Sequence, residues 1–87
     1  MTHPTLELAI AKLATWQTAQ AELSLIETAL GEAMVEYAQT LGEPPRQQII
    51  EAERKREQVR RLFDEATEAL DALSIARTGH TNFGTLG

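Results

Sequence analysis

From Trp16 to Tyr37 apolar residues recur at alternating steps of three and four: Trp16, Ala19, Leu23, Ile26, Leu30, Ala33 and Tyr37. This spacing keeps one side of an α-helix against a helical neighbour over three heptads, the pattern of a coiled-coil seam. Leu6, Ala9, Ile10 and Leu13 extend an apolar face upstream, with a slip in phase near Trp16 that a 3.6-residue repeat allows. A second seam runs through Val59, Leu62, Ala66, Ala69, Leu73 and Ala76, widened by Phe63 and Leu70. Alanines punctuate both series, at Ala9, Ala14, Ala19, Ala33, Ala66, Ala69 and Ala76, and predict close approach of the helices.

The punctuation between the seams fixes where the helices begin and end. Pro4 suits a first helical turn, where its missing N–H would have had no partner. Gly42 is suited to the left-handed conformation that stops a helix, and Pro44-Pro45 cannot continue one but can open the next. Gly79 supplies a second stop, and Arg77 stands at the negative end of the second helix dipole. The expected architecture is all-α: a long antiparallel two-helix hairpin, coiled-coil-like, over residues 1–77, followed by a short extended C-terminal tail over 78–87. Within it the helices span 4–41 and 45–77 around a turn at 42–45, each roughly 50 Å long. Gly31, inside the first helix, costs up to about 1 kcal/mol relative to Ala.

Folding back at this turn brings together residues whose numbers sum to roughly 87 by chain geometry. Trp16 and Leu23 are then expected near Ala66, Ala69 and Leu70, large side chains opposite small ones. Charge agrees with the fold-back. Residues 1–43 carry Glu7, Glu22, Glu27, Glu32, Glu36 and Glu43 against Lys12 alone, whereas Arg54, Lys55, Arg56, Arg60 and Arg61 crowd the second helix. Glu27, Glu32 and Glu36 are expected across from that basic run, where exposed pairs worth about 0 to 1 kcal/mol set register more than stability.

Some residues do not fit a self-contained hairpin. Between Ala52 and Val59 the seam position falls on Lys55 or Arg56, so two turns lack a large apolar side chain. Leu8, Leu25, Met34, Val35 and Ile75 lie off the main stripes, and a second apolar face needs something to cover it. In the tail, Phe83 and Leu86 are the side chains able to bury appreciable area. These seven residues form the candidate partner-binding set. The expected partners are proteins, through self-association, a larger assembly or both.

Composition narrows the chemistry. The chain has 87 residues and no cysteine, which excludes disulfides, thiolate catalysis and cysteine-ligated zinc. A net charge of −5 disfavours attraction to nucleic acid or anionic lipid, and Glu51, Glu53 and Glu57 interrupt the basic run and pair with it along the helix. No apolar run approaches the ~20 residues of a transmembrane span, and Met1 to Thr5 lacks signal-peptide character. His3 and His80 have no second ligand at helical spacing, Ser24 and Ser74 have no partnering histidine, and no glycine-rich phosphate loop occurs. No catalytic, cofactor-binding or metal-binding residue is expected.

The reading is of a non-enzymatic structural or assembly subunit, cytoplasmic or virion-associated, that docks into a larger complex such as a phage neck or tail or a bacterial machine. The alternative is a small soluble regulator (a chaperone, adaptor or inhibitor) that binds one protein target.

Overall fold

In the computed structural model residues 3–78 are described, with side chains through residue 76, and they form two helices: α1, Pro4–Thr40, and α2, Arg46–Thr78. The bounds differ from the sequence expectation by one residue at three of the four ends. His3 caps α1, its Nδ1 accepting from the Thr5 N–H at 3.1 Å, with Pro4 in the first helical position as expected. At the other end Leu41, not Gly42, takes the left-handed conformation, with φ 53° and ψ 33°. Its N–H donates to the Tyr37 carbonyl at 2.7 Å. Glu43 and Pro44 each precede a proline and are biased towards extended backbone. The change of direction therefore falls on Leu41 and Gly42, and the leucine carries it. Pro45 lies outside α2 as its cap, its carbonyl accepting from the Ile49 N–H at 3.0 Å.

The helices pack antiparallel along the expected seams. Every member of the Trp16–Tyr37 series is buried or half-buried. Among the described residues the buried apolar ones are Ala9, Ala19, Leu23, Ala52, Val59, Ala66 and Ala69, so alanine supplies most of the innermost layer and none of the large side chains there is fully enclosed. Ala14 and Ala76 are exposed instead, and Ser74 is buried where the pattern pointed to Ala76. Trp16 and Leu62 close over Ala19, Leu23 and Val59. Trp16 also meets Phe63, ring centroids 5.5 Å apart at a tilt of 59°, an arrangement that suits the aromatic quadrupoles.

The register departs from the symmetric fold-back. Trp16 faces Phe63 rather than Leu70, an offset of about two helical turns. The offset arises because the 41–45 connection does not simply cap the helix ends. Pro45 and Gln48 share a cleft with Ala33 and Tyr37, so α2 begins alongside the last turns of α1.

The cross-helix ion pairs follow this register: Lys12 to Glu65 at 2.6 Å, Lys55 to Glu22 at 2.7 Å and Arg56 to Glu27 at 2.9 Å. Of the acidic residues expected against the basic run, Glu27 meets it. Neither Glu32 nor Glu36 forms an ion pair with it, and Arg60 pairs within its own helix with Glu57 at 2.8 Å. The Lys12 ammonium, by hydrogen bond and by charge, holds the Glu65 carboxyl below its ordinary pKa. A lowered carboxylate pKa favours the fold at neutral pH, and that contribution fades as the pH falls through the folded-state value. Both side chains are well solvated, so the effect is slight.

Lys55 fills the gap in the second seam. Its side chain is only 16% exposed: the methylene stem lies in the seam while the ammonium reaches out to Glu22.

Two expected outcomes follow from this geometry. Leu41 is 79% exposed and contributes little packing, so Leu41→Gly should relieve its left-handed strain and raise the unfolding free energy by about 1 kcal/mol in urea titration. Lys55→Met should preserve the stem, remove the cost of holding a cation at the seam, and stabilise by about 1 kcal/mol in the same assay. A loss of stability would mean that the Lys55–Glu22 pair outweighs its desolvation.

Candidate functional site

All five helical members of the candidate set lie on the outside of the hairpin. Leu25 is 74% exposed, Val35 58%, Leu8 51%, Ile75 47% and Met34 46%. They are not one patch. Leu8 and Ile75 are near the open end of the hairpin, where Leu8 borders a solvent-filled cleft of about 370 Å³ with Lys12, Glu65, Glu68, Ala69 and Ala72. Leu25 is midway along α1, and Met34 and Val35 are near the connection. Phe83 and Leu86 lie outside the described residues.

Val35 lies on, and Leu25 and Met34 lie beside, a longer feature of the outer side of α1. Positions 10, 14, 17, 21, 24, 28, 31, 35 and 38 repeat the steps of three and four on the outer side of α1, and every one is exposed. They read Ile, Ala, Gln, Ala, Ser, Thr, Gly, Val and Ala, with no charge from Ile10 to Ala38. Leu25 and Met34 border this line. Thr28 Oγ1 donates to its own helix at the Ser24 carbonyl, 3.0 Å away, so its hydroxyl is satisfied without water. Around Gly31 a β-carbon would meet nothing within 4 Å. Thus α1 carries one seam covered by α2 and, on the opposite side, an exposed uncharged line of mostly small residues.

The outer side of α2 has another character. Arg54, Glu57, Arg61, Asp64 and Glu68 are exposed there, and this charged run, with Ile50 before it and Ile75 after it, makes an ordinary solvated face. The sequence signal for the outer line of α1 was present, as a 3.5-residue repeat of uncharged positions. It escapes a search for large apolar residues because most of its members are small.

Among the described residues no group of three or more His, Asp or Glu is placed to hold a metal ion. His3 serves as the α1 cap, beside an open cleft of about 320 Å³ formed with Leu6, Leu73 and Ala76, and His80 lies outside the described residues. No helix among those residues is long and apolar enough to cross a membrane.

Comparison with protein-family models, with curated proteins and with solved structures finds no match to this chain.

Proposed function

We propose that this protein is a non-enzymatic assembly subunit whose hairpin docks through the outer side of α1 into a larger protein complex. The observation that carries this reading is the uncharged line from Ile10 to Ala38, exposed along its whole length with Leu25 and Met34 at its borders. A helix uncharged on two sides, with Leu25, Met34 and Val35 exposed on the outer one, is suited to the interior of an assembly. A structural part of a phage neck or tail, or of a bacterial machine, has this requirement: a rigid rod held on several sides. The C-terminal residues, with Phe83 and Leu86, are assigned a supporting contact in the same complex.

The test is incorporation. A tagged chain expressed in its native source should co-sediment with a large particle. Replacing Leu25, Met34 and Val35 together by Ser should abolish this while helical content, read by circular dichroism, stays the same. Deleting residues 79–87 should likewise reduce incorporation and leave the thermal melt of the isolated chain nearly unchanged. Sedimentation of the unaltered chain as a free hairpin would refute the reading, and a discrete one-to-one complex with a single protein would mark a regulator instead.

A further inference from the structure

We infer that two copies of this chain exchange α2, so that α1 of each packs on α2 of the other, with residues 41–45 as the hinge and the two closed ends brought together. The exchange goes beyond the assembly reading and does not depend on the outer line of α1.

The connection carries strain that nothing else in the hairpin fixes in place. Among the described residues Leu41 is the one non-glycine residue with a positive φ, at 53°, a conformation that costs a leucine but not a glycine. Its side chain is exposed, so packing does not hold it there. The hydrogen bonds of the connection are local: the Leu41 N–H donates to the Tyr37 carbonyl at 2.7 Å, the Gly42 N–H to Thr40 Oγ1 at 3.4 Å and the Arg46 N–H to the Pro44 carbonyl at 2.8 Å. None of these ties α1 to α2. Glu43 and Pro44 precede prolines and favour extended backbone, so the hinge can straighten but cannot merge the helices into one. Short connections under strain invite exchange of an element between copies.

The exchanged form keeps what the hairpin has. Among the described residues α1 and α2 are the only elements, and their packing recurs between copies, with Lys12 to Glu65, Lys55 to Glu22 and Arg56 to Glu27 re-formed across chains. Two such seams, each about 10 Å wide and 50 Å long, bury roughly 2,000 Å² in total, the size of a stable interface. Since the seams are the same in both forms, the hinge, the junction and the concentration set the balance between them.

The junction also covers residues that one hairpin leaves bare. In the register of Trp16 and Phe63, Arg46 falls level with roughly Ala33, and Pro45 and Gln48 share a cleft with Ala33 and Tyr37. Residues 34–40 therefore overshoot the start of α2 by about 10 Å, and Met34, Val35 and Leu41 are exposed there. End to end about a two-fold axis, the overshooting segments of two copies lie side by side and shield these residues from water. Residues 41–45, roughly 16 Å when extended, bridge the gap to α2. Glu36 and Glu43 of both copies gather at the junction with Arg46, all exposed, so salt screens their repulsion and favours the exchanged form.

The full chain, which has no cysteine, is refolded from urea at low and at high concentration and separated by size. Monomer is expected at low concentration and dimer at high, the dimer persisting on brief dilution because its release requires both seams to part. Leu41→Gly should keep the helical content and lower the dimerisation constant about thirtyfold, about fivefold for each of the two leucines relieved of strain in the closed form. Ala19 and Val59 are buried in one cluster. On oxidation, Ala19→Cys refolded together with Val59→Cys should give a disulfide-linked dimer, and neither should do so alone. The variant with both changes, folded dilute, should close the link within one chain. A monomer after every refolding, a dimer indifferent to Leu41→Gly, or mixed single variants that stay unlinked while the double variant closes would each overturn the inference. A monomeric chain that still enters a large particle would do so while leaving the assembly reading intact.

Discussion

Two helices can shield only one stripe of each other, and the main features of this chain trace to how that single contact is made. Its innermost layer is alanine with Leu23 and Val59. Small residues bring the helix backbones close, which shortens the contact distance for every neighbouring side chain but buries little area per residue. The larger groups that supply dispersion and hydrophobic gain, Trp16, Leu62 and Phe63, sit at the edges of the seam and remain partly in water. The helices are therefore held close, while the apolar burial between them is modest for a chain of this size.

Alignment has a further source in Lys55. A cation in an apolar seam is tolerated where its ammonium can leave the plane of contact, and Glu22 receives it at 2.7 Å on one side of the hairpin. With Lys12 to Glu65 and Arg56 to Glu27, both well solvated and energetically slight, this makes three cross-helix pairs among the described residues. Their value is discrimination: a slip by one heptad places Lys55 against a position that does not answer its charge. The packed alanines bring the backbones together, and the charges choose among the registers that packing alone leaves nearly equal in energy.

Helix extents, the hairpin and the inward positions of α1 were legible because each is a local property of the chain. Pro4, the proline pair and the three–four alternation determine them with little help from the fold. The register was not, because it depends on how the connection runs. Symmetry about the turn assumes a connection without length of its own, whereas Pro44 and Pro45 extend it and set α2 beside Tyr37. The left-handed residue was misplaced for a related reason: glycine is the cheapest residue in that conformation, but the prolines decide where the reversal must occur. Glu32 and Glu36 were assigned to the basic run by charge alone, and a shift of two turns carries them away from it. Leu25, Met34 and Val35 were recognisable as surplus apolar residues, but the line they border was not, since Ala, Ser, Thr and Gly do not register as hydrophobic one at a time.

The contrast between the helices is what gives the outer line its meaning. α2 is amphipathic in the ordinary manner, apolar inward and charged outward, and such a helix is complete once one side is covered. α1 has an inward side that α2 covers and an outward side that excludes charge over nine successive seam positions. Water imposes no such exclusion, because a solvated helix face accepts Glu, Lys and Arg at least as readily as Ala or Ser. Six charged residues do occur on α1, at Glu7, Lys12, Glu22, Glu27, Glu32 and Glu36, so the helix is not merely poor in charge. Glu7 falls one step upstream of the line, and the other five are placed around it. A restriction at particular angular positions along a helix supports the proposal that this side is an interaction surface, since α2 covers only the opposite one.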